Sequence, residues 1–467
     1  MQENPKYFMD SNSLLASPQY KYLNFISLQK FTLWDVKRYL REPILSNFPV
    51  VRLGKFIEEQ NRMIKLFDEP DTEFKILGVS NKVGIFDAYL EKGSNINQPY
   101  KRVEIGWLAY NPYRINVGSI GIKEQYHANE FISPAYVVFS CKKELLPNFL
   151  FLLFKTETFN QIIRENTTGS VRQNLLFGSL KLLEIPLPSL NIQKQLVEDY
   201  KFKLTKANNA LIEYEKTNKE ADDFLINFLG IKYREIEIDK GFSFVTFQNV
   251  DRWGVDFLLK AKSLESIKKC NYPTFEIGKF IKFLQYGISE KANTESKGTV
   301  VVRMNNIQDG KLDISNIKHF DFDSSNLTKS ATILQKGDLL FNRTNSKELV
   351  GKTAIFDLEG EFTFASYLIR IRFTENINPK YMNYLFNSKI GRLQIDMTSR
   401  QILGQANINS QELKEFIFPI PELEIQNEIV WILDEFNTRK EYLLSQSINN
   451  RKEALETFEN ALFNTKL

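Results

Sequence analysis

The sequence predicts an α+β chain written twice: two tandem, similar domains, β-rich with short helices, separated and joined by two long antiparallel coiled-coil helices with pseudo-two-fold symmetry. Three observations predict this. Short matches recur in the same order in both halves, a Pro-x-Pro punctuation closes each half, and a long stretch without glycine or proline comes after each closure. A repeat on this scale decides the fold before local propensities do.

The repeat is read residue by residue. Gly54-Lys55-Phe56-Ile57 returns as Gly278-Lys279-Phe280-Ile281, and Gly106-Trp107-Leu108-Ala109-Tyr110-Asn111 returns as Gly337-Asp338-Leu339-Leu340-Phe341-Asn342. Leu146-Pro147-Asn148-Phe149 is answered by Asn378-Pro379-Lys380-Tyr381, and the run 185–195 (IPLPSLNIQKQ) by 418–428 (FPIPELEIQNE). The offset drifts only from about 224 to about 233 residues, as small loop insertions would produce. One match is chance; four in the same order are not. Within a half, β-like runs such as Gly298 to Val302 and Ala365 to Phe373 come first. Proline fixes its own φ and pushes its predecessor out of the helical region, so Pro186-x-Pro188 and Pro419-x-Pro421 mark stiff entries to the two long stretches. The expected order is a domain at 1–189, a helix at 190–230, a second domain at 231–423 and a final helix at 424–467.

The first long helix carries Val197, Tyr200, Leu204, Ala207, Leu211, Tyr214, Asn218, Ala221, Leu225 and Phe228 at alternating spacings of three and four, the seam of a coiled coil. Gly230 is placed to cap it. The second helix keeps Val430, Leu433, Leu444, Ala454, Phe458 and Ala461 in corresponding places and puts Asn437, Lys440, Ser447 and Arg451 at others. Polar seam residues reduce stability but fix register and partner. At 1.5 Å per residue, a helix of about 38 residues is about 57 Å long, the length of a spacer.

Composition sets bounds. A chain of 467 residues exceeds one ordinary core, and 43% hydrophobic with 25% charged residues is normal for a globular protein. Sixty-one basic against 57 acidic residues leave +4, so any nucleic-acid face must come from local concentration of charge. Cys141 and Cys270 have no metal-ligand spacing and read as idle thiols. The N-terminal residues show no secretory pattern, and the most apolar run, Phe149 to Phe154, is too short to cross a bilayer. The expected location is cytoplasmic.

No catalytic machinery emerges. No two of the 21 glycines are separated by a single residue, which excludes a GxG nucleotide or methyl-donor loop. Gly351-Lys352-Thr353 resembles the end of a P-loop, but Ser346 stands where its first glycine must be. The Asn-Pro fragments at Asn4, Asn111 and Asn378 lack the second proline of an amino-methyltransferase turn and read as turn initiators. His127 and His319 have no ligand cluster, and Glu348-Leu349-Val350 lacks the lysine of a nuclease site.

The candidate binding residues are hydrogen-bonding and basic side chains in expected loops. In the first domain they are Asn111, Tyr113, Arg114, Asn116, Ser170, Arg172, Gln173 and Asn174. In the second they are Arg303, Asn305, Asn306, Gln308, Asn342, Arg343, Thr344, Asn345, Lys347, Arg400, Gln401, Gln405 and Asn407. Arginine presents a fork to guanine, and Asn or Gln pairs with adenine. Lysine and threonine suit phosphates.

Two variable domains, each closed by Pro-x-Pro-x-Leu-x-x-Gln and a long helix, resemble the specificity subunit of type I restriction–modification enzymes. The match is carried by Pro186, Pro188, Leu190 and Gln193, with Pro419, Pro421, Leu423 and Gln426. The run Gly337 to Arg343 also resembles that family's target-recognition domains; Trp107 replaces Asp338 in the first copy, which points to a different turn there. The resemblance implies that each domain reads one half of a bipartite, asymmetric target in double-stranded DNA. The helices would set the gap and dock two modification methyltransferase subunits, with a restriction (translocase/endonuclease) subunit as a further component. S-adenosylmethionine and Mg/ATP would belong to those partners, and this chain would hold no cofactor, no metal and no catalytic residue. The alternatives are the specificity subunit of a type II system with a fused nuclease–methylase partner, a stand-alone nuclease or methyltransferase, and a scaffold whose repeats bind only protein.

Overall fold

The computed structural model describes residues 43–167, 174–232, 264–289, 298–322, 329–402 and 405–463. The chain divides into two compact units, one running to Asn209 and resuming at Gln446, the other running from Ala210 to Ser445.

The first unit is built on an antiparallel sheet in the order Ile57–Glu59, Val137–Cys141, Leu108–Tyr110, Ile120–Ile122. Strands Leu108–Tyr110 and Ile120–Ile122 are buried on both faces, so they read as short apolar runs rather than alternating ones. Alternate residues feed different cores. Leu108, Tyr110, Val137 and Phe139 join helices α1 (Pro147–Leu153), α2 (Glu157–Asn166) and α3 (Phe177–Leu180). Ala109 and Val138 join Leu77, Val79 and Ile85 from the long hairpin Glu73–Ser80/Gly84–Lys92, two strands of a five-stranded mixed sheet. Helix α4 (Leu190–Phe228) succeeds the Pro-x-Pro segment.

The second unit repeats this frame. Its sheet runs Ile281–Tyr286, Leu368–Phe373, Leu339–Asn342, Thr353–Ile355, all antiparallel. Leu339 lies opposite Ile371 as Leu108 lies opposite Phe139. Helices α5 (Pro379–Asn387), α6 (Lys389–Thr398) and α7 (Ser410–Lys414) succeed one another as α1 to α3 do, and α8 (Leu423–Leu462) ends the chain. The outer layer differs: a three-stranded sheet (Lys318–Phe320, Thr299–Val302, Phe362–Phe364), a small hairpin (Ile307–Gln308, Lys311–Leu312) and a second three-stranded sheet (Thr344–Asn345, Gln405–Asn407, Arg400–Ile402).

Each sequence match has a structural cause. Gly54 and Gly278 sit against backbone, where an added Cβ would lie 2.7 Å from the Lys181 carbonyl oxygen and 3.0 Å from that of Lys414. Gly106 and Gly337 are left-handed, with φ of 84° and 88°. The different turn expected from Trp107 is not found. The Lys123 N–H donates to the Trp107 carbonyl (2.9 Å) just as the Phe356 N–H donates to that of Asp338 (2.8 Å).

The motif glutamines are fully buried clamps. Gln193 Oε1 accepts from the Leu146 N–H (2.9 Å), and its Nε2 donates to the carbonyls of Glu144 (3.0 Å) and Pro188 (2.9 Å). Gln426 does the same with the Asn378 N–H (2.9 Å) and the carbonyls of Asn376 (3.1 Å) and Pro421 (2.8 Å). Each thus ties the Pro-x-Pro exit to the loop that starts α1 or α5. Pro186 and Pro419 end short two-stranded ladders with Val50–Arg52 and Thr274–Glu276. Leu190 and Leu423 remain exposed.

The long helices pair antiparallel within each unit. In the first, Arg451 donates to Asn208 (2.8 Å) and Lys203 to Thr457 (2.7 Å), with Val197 and Phe458 in one core. In the second, Lys440 donates to Asn218 (3.1 Å) and Phe224 packs on Phe436 (ring centroids 6.1 Å apart). Val197, Ala207, Leu225, Val430, Leu433, Ala454 and Phe458 are buried, while Tyr200, Leu204, Leu211, Tyr214, Ala221, Phe228 and Ala461 are half-buried. Two assignments need correction. Asn218 is exposed and its neighbour Thr217 is buried; Leu444 is 36% exposed and Leu443 half-buried beside it. The stripe has drifted by one residue because an α-helix repeats every 3.6 residues, not 3.5. Gly230 (φ 68°) closes α4, with the Ile231 N–H reaching back to the Ile226 carbonyl (3.0 Å). Among the described residues no helix is long and apolar enough to cross a membrane.

Candidate nucleic-acid interface

Both units bring the same two segments together: the turn leaving a central strand and the segment entering the last short helix. In the first, the Leu175 N–H donates to the Pro112 carbonyl (3.0 Å); in the second, the Ile408 N–H donates to the Arg343 carbonyl (2.9 Å). Asn174 and Asn407 are thereby equivalent, as are Asn111 and Asn342. The repeat places the candidate residues of each copy in one neighbourhood.

In the first unit, the Asn111 side-chain oxygen accepts from the Tyr113 N–H (3.0 Å) and shapes the turn. Tyr113 and Arg114 are exposed, Asn116 and Asn174 half-buried. Ser170, Arg172 and Gln173 lie outside the described residues.

In the second unit, Thr344 pairs across to Asn407, whose other neighbour is Arg400, so three candidate positions line up across one small sheet. The Thr344 hydroxyl donates to the Asn407 side chain (3.0 Å). Gln401 and Gln405 lie on the same sheet. Asn345 links it to the 303–306 turn through a contact to Met304 Sδ (3.5 Å). Asn305, Gln308 and Lys347 are exposed around it. Arg303 has turned back on its own loop, donating to the Asn316 carbonyl (2.9 Å) and side chain (3.1 Å).

Two candidates are corrected by burial. Asn306 is 4% exposed; it accepts from the Arg303 N–H and donates to the carbonyls of Asp313 (2.8 Å) and Asn316 (2.9 Å), stapling the loop. Asn342 is 1% exposed and its amide donates to the Leu349 carbonyl (3.1 Å), holding the 342–351 turn. Neither side chain is presented for reading.

The residue most clearly organised is Arg343. Its N–H donates to the Tyr367 carbonyl (3.0 Å), and its guanidinium lies 4.8 Å from the ring centroid of Tyr286, whose hydroxyl accepts from the Ser410 N–H (2.9 Å). Tyr286 and the exposed Tyr367 were missed from sequence; an aromatic ending the amphipathic strand Ile281–Tyr286 was the available signal.

A further cleft in the second unit, of about 640 Å³, is lined by Tyr214, Asp222, Asn383, Tyr384 and Lys440 among others. Burial raises the Asp222 carboxyl and lowers the Lys440 ammonium, and each is partly offset by the other's charge. No group of three or more His, Cys, Asp or Glu suited to a metal occurs among the described residues.

A frame repeated twice, carrying unlike loops that converge at one edge, defines a tandem recognition protein. The chain belongs to the type I restriction modification DNA specificity domain family, whose model matches residues 46–221 and 271–452. It is similar to a putative type I restriction enzyme MjaX specificity subunit of Methanocaldococcus jannaschii, with 30% identity over 183 residues, covering 38% of this chain and 41% of that one. It is also similar to the type I restriction enzyme EcoKI specificity subunit of Escherichia coli, with 24% identity over 292 residues, covering 62% and 58%. The aligned part thus spans about half the length of these relatives. One solved structure, from work on complex assembly and conformational transition of the type I R-M system, shares the fold, with a TM-score of 0.57 and 15% identity over 90% of this chain and 99% of that one.

Proposed function

We propose that this chain is the DNA sequence-recognition subunit of a type I restriction–modification complex. One observation carries the reading: two equivalent frames carry dissimilar polar and basic sets, each at the equivalent edge of its own unit. Two such readers suit a bipartite target whose halves differ. Tyr113, Arg114, Asn116 and Asn174 serve the first half-site, and Arg303, Asn305, Gln308, Arg343, Thr344, Asn345, Lys347, Arg400, Gln401 and Asn407 the second. Phosphate contacts position the duplex and base-edge contacts specify it.

In this reading α4 and α8 set the gap between half-sites and dock two modification subunits, with a restriction subunit joining them. Exposed apolar side chains on both helices support a docking role, among them Leu190, Phe202 and Ile212 on α4 and Leu423, Trp431 and Ile448 on α8. Methyl transfer and cleavage, with S-adenosylmethionine and Mg/ATP, belong to the partners, and this chain works in the cytoplasm without a cofactor of its own.

The test is exchange of residues 231–423 for those of another family member, with target sites mapped by methylation-sensitive sequencing. One half-site changes and the other stays; a change in both refutes independent reading. Inserting four residues in α4 adds about 6 Å, or about two base pairs at 3.4 Å each. Sites of unchanged spacing would count against the helices as the ruler.

A further inference from the structure

We infer that Arg343, held over the Tyr286 ring, reads a guanine in the half-site served by the second unit, and that Tyr286 is the residue that positions it. The inference rests on the second unit reading DNA, as proposed above, and goes beyond it by assigning one base to one side chain.

Arg343 differs from its neighbours in what its guanidinium does. Five other arginines of this unit have described side chains, and each is engaged: Arg303 with Asn316, Arg370 and Arg372 with Asp338, Arg392 with Asp396, and Arg439 with Glu213. The Arg343 guanidinium has no hydrogen-bond or ion-pair acceptor among the described residues. Its Nε is buried and unpartnered, so only the outer edge of the fork can take a ligand. An arginine without an acceptor normally wanders; this one is fixed from three sides. Its N–H is bonded to Tyr367, its carbonyl to Ile408, and its guanidinium lies over a ring pinned at the start of α7. This contact leaves the outer nitrogens of the guanidinium free and lowers the entropy cost of ordering a long side chain at the moment of binding.

A fork held in place matches the paired acceptors N7 and O6 that guanine shows in the major groove. A phosphate accepts the same fork, so the choice between base and phosphate rests on position, which favours a base. Thr344 and Asn407, hydrogen-bonding rather than basic, flank Arg343 on the same edge. The first unit has Pro112 at the equivalent place, which donates nothing, so the contact is specific to one half of the target.

The experiment uses the chain co-expressed with its methyltransferase subunits and a plasmid library with both half-sites randomised, reading methylation at every sequence. Arg343→Ala lowers the preference for guanine at one position of one half-site by about 10- to 100-fold, and the other half-site is unchanged. Arg343→Gln moves that same position toward adenine. Tyr286→Leu gives a partial loss at that position, whereas Tyr286→Phe, which keeps the ring, retains the preference. Replacing that guanine by 7-deazaguanine, which lacks the N7 acceptor, weakens the wild type and leaves Arg343→Ala unaffected.

A uniform loss over all sequences, with the salt slope shallower by about one, would make Arg343 a phosphate contact and overturn the inference. So would an unaltered site preference in both Arg343 variants. If Thr344 and Asn407 substitutions still alter that half-site, only the arginine assignment has failed. If no substitution on this edge alters either half-site, the reading role of the unit fails with it.

Discussion

The strand pairs of the two frames superpose in register, yet the side chains on their outer face differ as a set. At equivalent positions the first copy has Trp107, Ala109, Val138 and Ser140; the second has Asp338, Leu340, Arg370 and Arg372. In the first, Trp107 and Val138 pack with Leu77, Val79 and Ile85 of the long hairpin, and the buried Lys123, whose N–H is bonded to the Trp107 carbonyl, donates its Nζ to the Val103 carbonyl (2.9 Å). In the second, Asp338 is fully buried and takes a two-pronged bond from Arg372 (2.7 and 2.9 Å), while Arg370 reaches the carbonyls of Ile333 (2.7 Å) and Ala331 (3.0 Å) and covers the Phe283 ring. In both copies a cationic side chain meets backbone carbonyls of the layer above, Lys123 that of Val103 and Arg370 those of Ala331 and Ile333, and in the second copy the fully buried Asp338 supplies the counter-charge. The outer face of the sheet is therefore where each copy attaches its own recognition layer, and its residues change together.

The largest expected effect breaks that coupling. Asp338→Ala leaves the buried Arg370 without its counter-charge, removes both bonds of the half-buried Arg372, and destabilises the second unit by about 3–5 kcal/mol. Arg372→Ala costs less, because Asp338 keeps the Gln335 N–H (2.8 Å) and the nearby Arg370. The double substitution costs less than the two singles together, since both remove one interaction. Calorimetric unfolding of the four proteins checks this; strict additivity would mean that the charge cluster is not one unit.

The next effect sharpens the comparison from the opposite side, at positions where the copies agree. Gln193→Ala and Gln426→Ala each leave one N–H and two carbonyls without their partner, at about 2–4 kcal/mol. The two losses are expected to match within about 1 kcal/mol, because the three bonds are the same in both copies. A large loss in one copy alone would show that the frames carry different loads.

The part of the molecule legible in the sequence respects this division. Gly54/Gly278, Gly106/Gly337 and the two glutamines answer to backbone geometry, which is the same in each copy, so simple matching finds them. The outer layers answer to their own loops, and nothing in one copy announces the other. The candidate site was legible as a neighbourhood, since Asn111, Asn174, Asn342 and Asn407 recur at matched places. Side-chain type alone could not separate the exposed Asn407 from the buried Asn342. That distinction lies in whether a turn closes over the amide, as the 342–351 turn does. For Tyr286 the strand-end aromatic was legible but its role was not, because that role comes from Arg343, 57 residues further on.

The smallest expected effect concerns the helices, where a strict heptad and the observed packing differ by one residue. A seven-residue pattern puts Asn218 and Leu444 inside; the structure puts Thr217 inside and leaves Leu444 at the surface. Leu443→Ala is expected to cost about 1–2 kcal/mol, less than a fully buried leucine because Leu443 is only half-buried. Leu444→Ala stays within about 0.5 kcal/mol of the wild type. Thr217→Val serves as the finer probe. The Thr217 hydroxyl is already satisfied by the Glu213 carbonyl one turn back (2.7 Å), so an isosteric methyl removes no partner across the helices. It should leave stability unchanged or raise it by less than about 1 kcal/mol, whereas Thr217→Asp, placing a charge there, is strongly destabilising. Urea unfolding distinguishes the cases. Equal costs at Leu443 and Leu444, or a tolerated Thr217→Asp, would restore the strict heptad and move the facing stripe of both helices by one position.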